Sequence, residues 1–313
     1  MIQKIGNVIL NLKHYSGKDH YSDGDIENEL LDIVKNHSDF TEILKNDIRW
    51  PVYYHLTPIR RNLLEWYNFD NSKSLLEIGA GCGALTGLFC EKCADVTAVE
   101  LSKRRAEIIA YRNKEKSNLD IVVGNLNEIE LQKKYDYITL IGVLEYAALY
   151  TKTPSPYEDF LKNIKSMLKK DGELIIGIEN KFGLKYWSGS PEDHTGRLFD
   201  GLEGYLTEDS GVRTFSKQEL EELLKSIGFN ILQFYYPMPD YKIPVQIFSE
   251  SFLPTIGQID SFIPSYSQER LQLFNEKLVY DNIIKNGLFD FFANSFLILC
   301  KYNGDEKNAN SIR

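Results

Sequence analysis

Apolar residues fall into short blocks along the chain, and the blocks alternate between two spacings. Leu75, Leu76 and Ile78 form a compact run bounded by turn residues. Residues 95–100, 119–123, 135–141, 172–178, 230–236 and 295–302 have the same form. Runs this short and this apolar predict buried strands. Between them lie charged stretches that predict helices at 84–93, 102–113, 157–168 and 215–227, the last opened by Ser216 and followed by Gly228. Strands alternating with helices predict an α/β chain built on a parallel sheet.

Ahead of this alternation the pattern is looser. Residues 8–12 predict a strand. Residues 21–25 are turn chemistry, with Ser22 or Asp23 placed to cap an amphipathic helix over 26–35. A second helix is predicted over 58–67, with Thr57 as N-cap and Pro58 at the first helical position. Two long segments lack periodicity, 180–214 and 237–294, and loops of that length tend to be functional. The second contains a helical pattern over 267–285, suited to covering the site or to meeting a second copy in a homodimer. The expected organisation is an N-terminal extension or lid (1–70), a main domain (71–303) carrying both insertions over the acceptor site, and a disordered tail (304–313).

The candidate chemistry starts at the end of the first strand of the regular alternation. Gly79-x-Gly81-x-Gly83 lets the backbone approach a ligand closely and adopt positive φ. The helix that follows offers free N–H groups at its start. Glu100 ends the next strand, 21 residues after Gly79, the reach at which a carboxylate accepts hydrogen bonds from two ribose hydroxyls. Gly79-x-Gly81-x-x-Ala84 also satisfies a relaxed dinucleotide fingerprint, so an NAD(P)-binding oxidoreductase is the alternative on spacing alone.

Glu77-x-Gly79-x-Gly81-x-Gly83 with Glu100 resembles the S-adenosylmethionine (SAM) site of the class I methyltransferases. The resemblance implies a Rossmann-like seven-stranded fold, a parallel sheet with an antiparallel last strand, and SAM as cofactor. It implies cofactor contacts from Glu77, Gly79, Ala80, Gly81, Gly83, Glu100, Leu101, Asn125, Leu126 and Gly142. Many relatives carry an aspartate where Asn125 stands; an amide carbonyl there is able to accept from the adenine amine. The segment before the first strand often folds over SAM in this family, which makes Tyr54, His55 and Arg60 candidates for the cleft. Glu145 and Tyr146 stand where the fold often puts acceptor-side residues.

Residues 179–187 and 191–196 are dense in Gly, Asp, Glu, His and aromatics. Asp193-His194 offers a base with an adjacent carboxylate, so His194 is the first candidate for general base, with Asp193 and Glu145 beside it. Asn180, Tyr186 and Tyr205 join Tyr54, His55 and Tyr146 as candidate substrate contacts. Together with Tyr241-Lys242-Ile243-Pro244, these segments resemble a bacterial subgroup associated with surface polysaccharide and glycoconjugate assembly. That likeness implies methyl transfer to an oxygen or nitrogen of a small-molecule or glycan-linked acceptor. A non-catalytic SAM-binding scaffold is the second alternative.

Charge narrows the partners. A net charge of −9 over 313 residues disfavours a duplex nucleic acid substrate. No apolar run reaches the length of a membrane span and the first residues are no signal peptide, so a cytoplasmic protein is expected. Cys90 and Cys93 share one helix and have no second ligand pair, so the four cysteines read as buried thiols and no metal site is expected.

Overall fold

In the computed structural model, which describes residues 1–206, 211–259 and 270–304, one sheet runs through the molecule. Its strands are β1 (Ile2–Ile5), β2 (Val8–His14), β3 (Ser74–Ile78), β4 (Asp95–Glu100), β5 (Leu119–Gly124), β6 (Tyr135–Ile141), β7 (Leu168–Glu179), β8 (Asn230–Met238), β9 (Gln246–Ser249) and β10 (Ser295–Lys301). They lie in the order β1-β2-β5-β4-β3-β6-β7-β10-β8-β9. The seven expected strands are all present, and β10 runs antiparallel to both its neighbours, β7 and β8. This is the Rossmann-like methyltransferase arrangement. Three strands extend it: the hairpin β1–β2, attached through the parallel pair β2–β5, and the edge strand β9. The N-terminal strand predicted over 8–12 is thus part of the main sheet.

Successive strand residues point to opposite faces, and both faces are covered. Leu76 and Ile78 pack with Phe160, Leu161 and Leu220 on one side, whereas Leu75 packs with Leu88, Phe89 and Ile109 on the other. A fully buried leucine contributes about 1.5–3 kcal/mol to this layering. The helices that form the two layers are closed by local signals. Ser102 accepts from the Arg105 N–H to start Lys103–Arg112. Ser216 and Glu219 form a reciprocal capping box at the start of Lys217–Ile227, which ends on Gly228 at φ 87°.

Several local expectations need correction. Neither Ser22 nor Asp23 caps the helix Ile26–Asn36; Ser22 Oγ donates to Glu27, while Asp23 turns toward His55 and Arg105. The segment expected as one helix over 58–67 is a 3₁₀ turn, Pro58–Leu63, preceded by an α-helix at Trp50–Leu56. Pro51 suits the first turn of that helix, and Pro58 forces Thr57 to be extended, which ends it. Thr57 does cap the 3₁₀ turn, accepting from Ile59 N. The helix predicted over 267–285 is observed as Glu276–Lys285, and its earlier residues to 269 lie outside the described ones, as does the tail from 305. Among the described residues no helix is long and apolar enough to cross a membrane.

β3 lies between β4 and β6, where the strand order reverses direction. At such a switch point the carboxyl ends of the strands diverge and leave a crevice.

Candidate active site

That crevice is a cavity of about 430 Å³. It runs from residues 77–82, past Glu100 and Asn125, to Glu145, Tyr146, His194 and Tyr241. The volume is in the range of small-molecule and cofactor sites.

The floor of one half is backbone. Gly79 and Gly81 have φ of 67° and 56°, and the N–H groups of Gly79 and Ala80 both donate to Val99 O. A Cβ on Gly79 would stand 2.5 Å from Val143 Cγ2, so the turn needs glycine for space as well as for conformation. Gly81 N donates to Glu100 Oε2 at 2.8 Å, and Ser102 N donates to Glu100 Oε1 at 2.9 Å. The carboxylate at the end of β4 therefore ties the glycine turn to the start of the next helix. Each oxygen keeps a second lone pair for a ligand. Burial raises the Glu100 carboxyl, against these backbone donors and the nearby Arg105 guanidinium.

Glu77 is fully enclosed and accepts from Thr86 Oγ1 at 2.6 Å. Burial pushes its carboxyl up to about 8, with Thr86 and the Arg60 guanidinium acting the other way. Arg60 in turn lies over the Tyr54 ring, 3.9 Å from its centroid. Ala80, Leu101, Asn125, Leu126 and Gly142 all line the cavity. The Asn125 carbonyl also accepts from Asn127 N, so the amide is held as the cap of a short turn. Gly83 differs from the expectation. It does not line the cavity; a Cβ there would meet Ile109 at 3.2 Å, so this glycine serves helix packing.

The N-terminal segment forms one wall. His55 Nε2 is 2.8 Å from Asp23 Oδ2, and Arg105 joins both Asp23 and Glu27 through charged contacts. Burial lowers the His55 imidazole despite Asp23. Tyr21 lies against Tyr146, with ring centroids 5.5 Å apart and hydroxyls 3.2 Å apart.

At the other half the cavity wall is made of side chains. Glu145, in the 3₁₀ turn Leu144–Tyr146 that follows β6, has Oε1 3.6 Å from His194 Nε2. The other ring nitrogen, Nδ1, is 3.0 Å from Glu192 Oε1. Burial works against a charged imidazole, yet Glu145, Glu192 and Glu179 outweigh it and hold His194 well above its ordinary range. An imidazole held protonated is a poor free base. Glu145, raised by its burial and with Oε2 unpartnered, is the better-placed proton acceptor.

Asp193, the carboxylate adjacent to His194 in sequence, is not its partner in space. Asp193 is taken by Lys185 at 2.6 Å, by Lys242 at 3.0 Å and by the Tyr186 hydroxyl at 2.6 Å. The backbone turn at 192–195, pinned by Glu192 accepting from His194 N and Thr195 N, sends the two adjacent side chains in different directions. Both Asp193 and His194 still border the cavity.

Three expected substrate contacts stand behind the wall. Asn180 donates to the carbonyls of Phe291 and Ala293 and ties the two insertions together. Tyr186 is buried against Asp193, and the Tyr205 hydroxyl bridges Glu192 and Thr214. Tyr54, His55 and Tyr146 do line the cavity. Tyr21, Asp23, Arg105, Tyr241 and Lys242 line it without having been singled out as contacts. Arg105 lies in the regular helix after β4; Tyr21, Asp23, Tyr241 and Lys242 lie outside the strand–helix alternation, the last two in the run that resembles the bacterial subgroup.

Comparison with known proteins agrees with this geometry. A family model described as a methyltransferase domain matches residues 52–234. The chain is 29% identical over 159 residues to an uncharacterized methyltransferase of Staphylococcus carnosus, a match covering 50% of this chain and 70% of that one. It is 26% identical over 130 residues to a ubiquinone biosynthesis O-methyltransferase of Pelagibacter ubique, where the match covers 39% of this chain and 51% of the relative. Among solved structures, a Haloferax volcanii methyltransferase in complex with the Trm112 activator superposes with a TM-score of 0.51 at 13% identity, covering 88% of this chain and 98% of that one. At that identity the likeness concerns the fold. With the family model covering more than half of the chain, the NAD(P) alternative falls away, and the protein belongs to the methyltransferase-domain family.

Proposed function

We propose that the methyl group passes to an oxygen or nitrogen of a small-molecule or glycan-linked acceptor, in the assembly of a surface glycoconjugate. The observation that carries the acceptor assignment is the continuity of the cavity. It leads from the glycine turn directly to a polar end where Glu145 Oε2 is buried without a hydrogen-bond partner. A buried carboxylate oxygen left unpaired costs about 1–3 kcal/mol, and an acceptor hydroxyl or amine donating to it removes that cost.

Methyl transfer from a sulfonium is an in-line displacement: the bond from nucleophile to methyl carbon forms as the carbon–sulfur bond breaks, leaving S-adenosylhomocysteine. The enzyme's work is chiefly to hold the three atoms in line. Glu77, the turn at 79–81 and Glu100 hold the donor. Tyr21, Tyr146 and Tyr241 surround the acceptor, and Glu145 takes its proton. Aromatic walls suit the apolar face of a sugar, while the carboxylates and Lys242 suit its hydroxyls. The glycoconjugate role rests on the likeness of residues 179–187, 191–196 and 241–244 to the bacterial subgroup. Asp193 and His194 from the first insertion and Tyr241 and Lys242 from the second line the acceptor end.

The test is transfer of a radiolabelled methyl group from SAM to fractionated cell-envelope glycans and their soluble sugar precursors. Label in a glycan or sugar product, lost in Glu145→Gln, is the expected result. Label confined to protein or nucleic acid, or no transfer by a protein that still binds SAM, overturns the proposal.

A further inference from the structure

Glu145, Glu179 and His194 come from three separate parts of the chain: the turn after β6, the end of β7 and the first insertion. One ligand atom from each lies within 4.8 Å of the other two. We propose that these three side chains bind a divalent transition ion of the Mn²⁺, Fe²⁺ or Zn²⁺ kind, at the acceptor end of the cavity. The inference rests on the methyltransferase reading of that cavity only for what the ion would do there.

Two independent features distinguish this cluster from a patch of acids. Glu145 and Glu179 are 1% and 0% exposed, and each keeps one carboxylate oxygen, Oε2, with no hydrogen-bond partner. Glu179 Oε1, by contrast, is occupied by the Lys242 ammonium and the Tyr241 hydroxyl, which fixes the side chain and leaves Oε2 over. Buried polar atoms without partners are rare, and a bound cation would satisfy both.

The second feature is the setting of the imidazole. Its Nδ1 is held by Glu192 at 3.0 Å, which leaves Nε2 facing Glu145. A carboxylate behind one ring nitrogen, with the other turned to the site, is how proteins orient a histidine toward a metal. Glu192 is itself fixed by the N–H groups of His194 and Thr195 and by the Tyr205 hydroxyl. An ion entering the cluster would replace the proton that Nε2 otherwise holds against Glu145. The charge balance also favours a cation: five carboxylates, Glu145, Glu179, Glu192, Asp193 and Asp240, are gathered around the His194 imidazole and two lysines, Lys185 and Lys242.

The separations suit such an ion. Ligand atoms about 2.1 Å from a metal lie about 3–4 Å apart, so a cluster whose atoms lie within 4.8 Å of one another needs to contract by at most about 1–2 Å. Two carboxylates and one imidazole favour Mn²⁺, Fe²⁺ or Zn²⁺ over the all-oxygen preference of Mg²⁺ and Ca²⁺. Three protein ligands leave open positions. Because Glu145 and His194 border the cavity, those positions face the acceptor, where an ion would orient an acceptor oxygen and ease its ionisation.

The experiment titrates Mn²⁺ into the full chain, stripped with chelator, and counts free ion by electron paramagnetic resonance; Zn²⁺ competition follows. One Mn²⁺ per chain is expected. Glu179→Gln and His194→Ala should each weaken binding at least tenfold, while His20→Ala, on the exposed N-terminal loop, leaves it unchanged. SAM affinity by calorimetry and circular dichroism are measured on every variant, so that a misfolded Glu179→Gln is recognised and His194→Ala decides. No stoichiometric ion, ion binding untouched in His194→Ala, or a primary amine occupying the cluster in place of a metal overturns the inference while SAM still binds. Loss of SAM binding by the wild-type chain would instead strike at the methyltransferase reading.

Discussion

The two halves of the cavity are built in different ways. The donor half is made by backbone turns at the ends of neighbouring strands, and its parts lie within residues 77–126 and at Gly142. The acceptor half is made by side chains at 145, 146, 193, 194, 241 and 242, with Glu179 and Glu192 behind them. A turn that must pass beneath a nucleoside is constrained at every residue, since φ and contact distance leave few choices. A wall of side chains is constrained only by what it must recognise. On the proposed reading the donor half is thus fixed by backbone geometry, and the acceptor half by the side chains that would meet the acceptor.

Substitutions that touch only one half sharpen this contrast. The largest effect is expected at Gly79. An alanine there places a methyl against Val143 and strains a backbone at φ 67°. A cost of about 3 kcal/mol corresponds to roughly 100-fold weaker SAM binding; calorimetry showing less than a threefold change would mean that the donor does not lie over this turn. Glu145→Gln is expected to do the reverse, lowering turnover by about 10²–10⁴-fold with SAM affinity preserved. Equal losses in both would dissolve the distinction between the halves.

The third expectation concerns pH. The Glu77 carboxyl is held neutral up to about 8 by its burial, whereas the donor's ammonium is best met by a carboxylate. SAM affinity should therefore rise with pH, by up to about tenfold per unit, and stop rising near 8. Glu77→Gln should remove that slope, and an unchanged pH profile in the variant would assign the titration elsewhere. The smallest effect is expected behind the wall. Tyr205→Phe removes the hydroxyl that bridges Glu192 and Thr214. It should cost about 1 kcal/mol in urea unfolding and change turnover less than tenfold; a larger loss of turnover than Glu145→Gln would place Tyr205 in contact with the acceptor after all.

Hydrophobic spacing, strand length and helix caps were enough to anticipate the seven central strands and the helices between them. These signals are local: a buried strand needs a short apolar run, and the turn at 79–81 needs glycine at both ends, where φ is positive. The two outer strands at the N-terminus and β9 were harder to place in the sheet, because an edge strand is only half buried and its partner is far along the chain. The α-helix at Trp50–Leu56 was missed for a related reason, its aromatic residues having no polar face to show a period.

Asp193 and His194 illustrate the limit. Adjacent in the chain, they suggested a pair, yet one is claimed by two lysines and the other by two glutamates. The sequence by itself determined the family of fold, the donor and the strand ends where the chemistry had to lie. Only the tertiary structure decided which carboxylates face the imidazole, since Glu145, Glu179 and His194 meet through crossovers and an insertion whose lengths do not reveal where they return.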